Sequence, residues 1–201
     1  MKNKKTFLVI AVIFVIVIIG AYVLYGKLSS NMDNAPINPI ETEKESMDDR
    51  SETQKEAEKR KIPAPDFTVY DADENEVHLS DYFGKPIVVN FWASWCGPCK
   101  SEMPDFQEVY EKMGEDVQFL MVNMTDGSRE TIETAGSYVE SKGFTFPVFY
   151  DLTFDAAMKY GAQYLPVTFF IDAEGYVIGQ VTSAMDQETM MKGIQFILPQ
   201  E

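Results

Sequence analysis

Asn90-Phe91-Trp92-Ala93-Ser94-Trp95-Cys96-Gly97-Pro98-Cys99-Lys100 is the stretch on which the fold turns. It follows Pro86 to Trp92 (PIVVNFW), which is apolar on both faces except at Asn90 and reads as a buried strand. A helical pattern then runs from Gly97 to about Met113. Cys96 therefore falls at a helix start, where unpaired N–H groups and the helix dipole favour a thiolate. Cys99, three residues on, shares its face of the first turn, close enough for a disulfide with little rearrangement. Pro98 costs nothing in that turn, because its missing N–H had no partner there. These are the only two cysteines of 201 residues, so they do not form a stapling framework. An exposed Cys96 thiolate attacks a substrate disulfide, and Cys99 then attacks Cys96 to release the reduced product. A zinc half-site is the competing use of the pair. It needs four ligands, and His78 is the only other Cys or His in the chain, so no metal is expected. A buried structural disulfide without turnover is the remaining alternative.

Short apolar runs and helical stretches alternate outward from this motif. Phe67 to Tyr70 and Val77 to Leu79 read as strands around the turn Asp71 to Glu76, and Val117 to Met124 as a second buried strand. A helix is expected from Ser128 or Arg129 to Ser141, with Ile132, Ala135 and Val139 on one face. Pro147 to Tyr150 reads as a short strand. Thr153 to Tyr160 reads as a short helix carrying Phe154, Ala157 and Met158. Val167 to Asp172 and Tyr176 to Thr182 form a hairpin around Ala173-Glu174-Gly175, and Gln187 to Leu198 closes the chain as an amphipathic helix. The expectation is an α/β fold with a mixed central sheet and helices on both faces. Met121, Met158 and Met190 are expected in the core, as is Trp92, whereas Trp95 shields the cysteine pair.

Upstream of Pro63 the composition changes twice. Phe7 to Tyr25 is an uncharged run of 19 residues behind Lys2, Lys4 and Lys5. At about 1.5 Å per residue it spans roughly 28 Å, a bilayer's hydrocarbon thickness. It has no Ala-x-Ala-like exit and no following cysteine for lipid attachment, so residues 1–28 read as a short cytoplasmic tail and an uncleaved transmembrane anchor. The lysines hold the N-terminus in the cytoplasm and place the rest outside. Residues 29–62 are polar and charged and read as a flexible linker, roughly 30–35 Å end to end as a coil. Residues 63–201 form the domain. It carries 23 acidic against seven basic residues, which repels phosphates and excludes nucleic acid as a partner.

Cys96-Gly97-Pro98-Cys99, Pro104 five residues further on, and Tyr164-Leu165-Pro166-Val167-Thr168-Phe169-Phe170 together resemble the thioredoxin superfamily. Within it the chain is similar to the membrane-anchored thiol–disulfide oxidoreductases of the TlpA/ResA type. The resemblance covers about Ile62 to Leu198. It implies a thioredoxin-like fold, a helix kinked at Pro104 and a cis Pro166 beside the cysteines. It also implies a Leu165 backbone that pairs with the incoming substrate, and a substrate surface of Trp95, Gly97, Pro98, Leu165 and Pro166. Soluble thioredoxins carry a buried Asp where this chain has Asn90, so the usual base for Cys99 is missing. The anchored relatives commonly place a Glu where Glu102 stands, and they usually have a small polar residue in place of His78. Two readings of Glu102 stay open: a proton relay for Cys99, or a solvated Glu that only complements the helix dipole. His78 reads as an edge-strand surface residue. The implied activity is reduction of disulfides in exported proteins, with electrons from a membrane donor and without a cofactor. A peroxiredoxin-like peroxidase would need Pro-x-x-x-Thr-x-x-Cys, and the residues before Cys96 supply neither Pro nor Thr. A binding module such as a copper carrier would show two Cys with three residues between them plus a distal His, and neither is present.

Overall fold

The continuous apolar run before the cysteines forms the strand at the middle of the sheet, Ile87–Trp92, with all six residues buried. The computed structural model describes residues 38–39 and 62–199. The chain divides into two units, Met1–Ala35 and Pro36–Glu201, and the sheet and the helices belong to the second. The anchor expected over 1–28 and nearly all of the expected linker lie outside the described residues. Among the described residues no helix is long and apolar enough to cross a membrane.

Nine strands build one mixed sheet. In chain order they are β1 (Asn38–Pro39), β2 (Ile62–Pro63), β3 (Thr68–Tyr70), β4 (Glu76–His78), β5 (Ile87–Trp92), β6 (Gln118–Asn123), β7 (Val148–Tyr150), β8 (Val167–Ile171) and β9 (Tyr176–Val181). Their spatial order is β1-β9-β8-β5-β6-β7-β3-β4, with β2 also on β9. β5, β6 and β7 run parallel, whereas β8 is antiparallel to β5. The helices are α1 (Gly97–Met113), α2 (Ile132–Lys142), α3 (Asp155–Tyr160) and α4 (Gln187–Ile197), with a 3-10 turn at Leu79–Tyr82.

The alternation of β5 divides the core in two. Ile87, Val89 and Phe91 join Phe67, Val69, Leu120, Phe169 and the α3 residues Ala156 and Ala157 in one cluster. Aromatic edges knit it together: Tyr160 lies 4.8 Å from Phe169 and 5.4 Å from Phe67 between ring centroids. Val88, Asn90 and Trp92 point to the opposite face, where Trp92 meets Tyr138 of α2 at 6.0 Å. On that face α4 packs so closely that a Cβ added at Gly193 would sit 2.2 Å from the Phe170 ring. Only glycine fits there without moving a fully buried ring.

The strand and helix expectations from Phe67 to Leu198 hold to within a few residues, with instructive exceptions. Leu79 leaves its strand for the 3-10 turn. α2 begins at Ile132 because the Asp126 carboxylate collects the N–H groups of Ser128, Arg129 and Glu130 at 2.7–2.9 Å, and Thr131 then caps the helix. α3 begins at Asp155, with Phe154 in a left-handed conformation (φ 59°) just before it. Met158 is not core: it is 72 % exposed, because α3 turns Ala156 and Ala157 inward instead. Met121 and Met190 are fully buried, as is Trp92. His78 ends β4 at the sheet edge and hydrogen-bonds the Thr68 hydroxyl at 3.2 Å. β1 and β2, which pair antiparallel with β9, have no counterpart in the sequence reading.

Candidate active site

β5 and β6 end side by side, with Trp92 opposite Asn123, and β8 begins beside the end of β5, with Phe91 opposite Val167. The loops after β5 and β6 and the loop before β8 therefore converge at one end of the central strands. Cys96, Glu130 and Pro166 lie on those three loops.

Cys96 and Cys99 form a disulfide, with S–S 2.03 Å and Cα–Cα 5.3 Å. Cys96 is the N-cap of α1, and its sulfur accepts the N–H of Cys99 at 3.2 Å. One of the helix's free donors is thus satisfied by the sulfur that would carry the charge of a thiolate. Against the expectation of an exposed Cys96, it is only 5 % exposed in this disulfide form and Cys99 is fully buried, while Gly97 and Pro98 between them lie at the surface. Pro104 sits inside α1. The Leu165–Pro166 peptide is cis. Leu165 is half-buried and precedes the first paired residue of β8, Val167, by two positions. Tyr164 beside it is 84 % exposed and Trp95 is 42 % exposed, so two large aromatics stand open on the site's loops.

Glu102 is not the solvated side chain that one of the two open readings described. It is 1 % exposed, one turn along α1 from Cys99, and sits against the face of β5 that carries Asn90. One carboxylate oxygen accepts from Asn90 Nδ2 at 2.9 Å, and the other from the backbone N–H of Met185 at 3.1 Å. Asn90 Nδ2 also donates to Thr168 Oγ1 at 2.9 Å. Burial pushes the Glu102 carboxyl up to about 8, and the two hydrogen bonds only partly oppose it. A carboxyl in that range exchanges protons with a thiol of ordinary acidity, roughly 8.5, with little energetic penalty in either direction.

The sequence reading missed a second buried carboxylate at the same end. Glu130 is fully buried and accepts from the Ser94 N–H and the Ser94 hydroxyl, both at 2.7 Å, and from Asn123 Nδ2 at 2.6 Å. Next to it, the Arg129 guanidinium lies 4.1 Å over the Trp95 ring. Nothing local in Asp126-Gly127-Ser128-Arg129-Glu130 marks the contacts with Ser94 and Trp95, because both of those residues lie more than thirty positions upstream.

The AhpC/TSA family profile matches residues 61–180. A thiol–disulfide oxidoreductase ResA of Geobacillus thermodenitrificans is 37% identical over 139 residues, 68% of this chain and 76% of the relative. The ResA of Bacillus subtilis aligns along 100% of this chain and 97% of its own length at 27% identity. Among solved structures, a DsbF homologue from Corynebacterium diphtheriae superposes with a TM-score of 0.61 at 29% identity, covering 69% of this chain and 88% of its own. The exposed lipoprotein thioredoxin Etrx1 of Streptococcus pneumoniae does so with a TM-score of 0.55 at 30% identity, covering 65% of this chain and 98% of its own.

Proposed function

We propose, from the premise that this chain belongs to the AhpC/TSA family and is a ResA-type thiol–disulfide oxidoreductase with a thioredoxin-like fold, that it reduces disulfides of exported proteins from a membrane anchor. The observation that carries the chemistry is the Cys96–Cys99 pair at the N-terminus of α1, beside a cis proline loop.

In the dithiol form, the Cys96 thiolate attacks one sulfur of a substrate disulfide and expels the other as a thiolate. Cys99 then loses its proton and attacks Cys96 Sγ. The Cys96–substrate bond breaks, and the second substrate sulfur leaves with the electron pair. The substrate gains two electrons and the protein closes its disulfide. A membrane dithiol donor of lower reduction potential must reopen it, giving up two electrons and becoming a disulfide itself. Glu102 is assigned as the proton acceptor for Cys99: it occupies the buried face one turn away, and its elevated pKa matches a thiol. Trp95, Gly97, Pro98, Leu165 and Pro166, with Tyr164 added, form the substrate surface. The backbone of Leu165 offers strand-like pairing to the incoming chain.

Anchoring and location rest on the apolar run Phe7 to Tyr25 behind three lysines and on the polar segment 29–62. The expected outcome is that the protein sediments with membranes and that external protease releases a soluble domain by cutting within 29–62. Recovery of mature protein free in the medium would overturn the anchor. The chemistry is tested by expressing Cys99→Ser in cells. Mixed disulfides between Cys96 and exported proteins should accumulate, and they should vanish in Cys96→Ser. If neither variant accumulates any, the pair does not turn over on protein disulfides.

A further inference from the structure

Glu130 is a fully buried acid with no basic partner among its contacts. Its three close contacts are all donors: the Ser94 N–H, the Ser94 hydroxyl and Asn123 Nδ2. Accepting three hydrogen bonds and donating none is the pattern of the ionised form. Two of these bonds grip Ser94, two residues before Cys96. The next residue, Trp95, carries Arg129 over its ring. Consecutive residues of the β6–α2 loop thus hold consecutive residues of the cysteine lead-in. The loop is itself held by Asp126, whose carboxylate accepts the N–H groups of Ser128, Arg129 and Glu130. Cys96 adds a bond to the same short turn, from its N–H to the Ala93 carbonyl at 3.1 Å.

We propose that Glu130 is a positioning residue that fixes the Ser94–Cys96 turn and, as a buried negative charge behind it, holds the Cys96 thiol less acidic than its helix N-terminal position alone would make it. This inference rests on Cys96 being the attacking thiol. The charge opposes the helix dipole. Ser94, which Glu130 grips, is two residues from Cys96, so the chain between them spans at most about 7 Å, and a unit charge at that range shifts a thiol's ionisation about threefold at the dielectric of water and about fiftyfold at an effective dielectric of about 20. A less acidic thiolate is the stronger nucleophile, so the arrangement trades thiolate fraction for attacking power. The other charged groups around the pair are few. Lys100 is exposed on α1, Arg129 and Asp126 are exposed on the loop, and Glu102 is buried one turn from Cys99.

The test is the pH dependence of Cys96 alkylation in the Cys99→Ser background, with and without Glu130→Gln. Gln keeps the shape and can still serve Ser94, whose hydroxyl accepts as well as donates. The expected result is a midpoint lowered by the charge removed, seen as at least about three times more thiolate below both midpoints. Glu130→Asp, which keeps the charge, should stay near the parent value. A midpoint that is unchanged or raised in Glu130→Gln overturns the proposal. Should Glu130→Gln fail to fold, the double variant Glu130→Gln/Ser94→Ala removes the hydroxyl left opposite the new amide, and its midpoint is read in the same way: a lowered midpoint supports the proposal, and an unchanged or raised one overturns it. Failure of the underlying reading looks different: the Cys96→Ser protein, not Cys99→Ser, would then carry the fast-alkylating thiol.

Discussion

Two buried carboxylates flank one disulfide, and their surroundings give them different chemistry. Glu102 sits under α1 with one side-chain donor and one backbone donor, and burial dominates: its carboxyl is pushed up to about 8. Glu130 sits on the β6–α2 loop with three donors, two of them on one residue of the active-site turn. Both are at most 1 % exposed, so burial does not distinguish them. The difference is the number of donors and what those donors belong to. A lightly solvated acid is suited to carrying a proton; a heavily solvated one is suited to carrying a fixed charge.

The largest expected effect separates the two by kinetics. In Glu102→Gln, decay of the mixed disulfide should slow about 10²–10⁴-fold while its formation changes little, because only the Cys99 step needs the relay. Single-turnover reduction of a disulfide peptide, following both phases, reads this directly. Decay altered by less than about tenfold would leave Glu102 without a proton-transfer role. Glu130→Gln should instead alter formation, the step in which Cys96 attacks.

Stability against pH sharpens the same contrast. An unfolded Glu loses its proton near 4.5, whereas folded Glu102 keeps its proton to about 8. Between those values the folded state binds more protons, so stability falls as pH rises through the window and levels off above it. Relative to Glu102→Gln, the oxidised parent should lose up to about 4 kcal/mol between pH 4 and pH 9. Denaturant melts at several pH values test it, and parallel curves for the two proteins would mean that Glu102 titrates in the folded protein as it does in the unfolded chain.

Removing the other acid tests fixation. Glu130→Ala strips the acceptor from two Ser94 donors and from Asn123, all at a buried position, and should cost about 3 kcal/mol in denaturant unfolding. A loss under about 1 kcal/mol would show that the turn holds without its clamp. The smallest effect belongs to the exposed neighbour: Arg129→Ala removes a cation from the Trp95 face and should cost about 0.5–1 kcal/mol or less. Trp95 fluorescence, compared between the two proteins, reports whether the ring stays in place.

What the sequence by itself determined was local. The run Pro86 to Trp92 with the cysteine motif behind it dictates a strand, a turn and a helix N-terminus, because side-chain periodicity and capping act within a few residues. The boundaries of α1 and the hairpin of β8 and β9 follow for the same reason. Local patterning misled in three places, for different reasons. Asp126 took the N–H groups that would have begun α2 early. Met158 looked like core and is exposed, since α3 offers its two alanines to the sheet instead. β1 and β2 exist only because β9 presents an edge for them. The surroundings of the two acids were decided by tertiary structure alone. Glu102 meets Asn90 twelve residues back and Met185 eighty-three residues on, and Glu130 meets Ser94 thirty-six residues back. Desolvation and donor count set what a carboxylate can do, and both are properties of surroundings that form only when the sheet brings its loops to one end of its central strands.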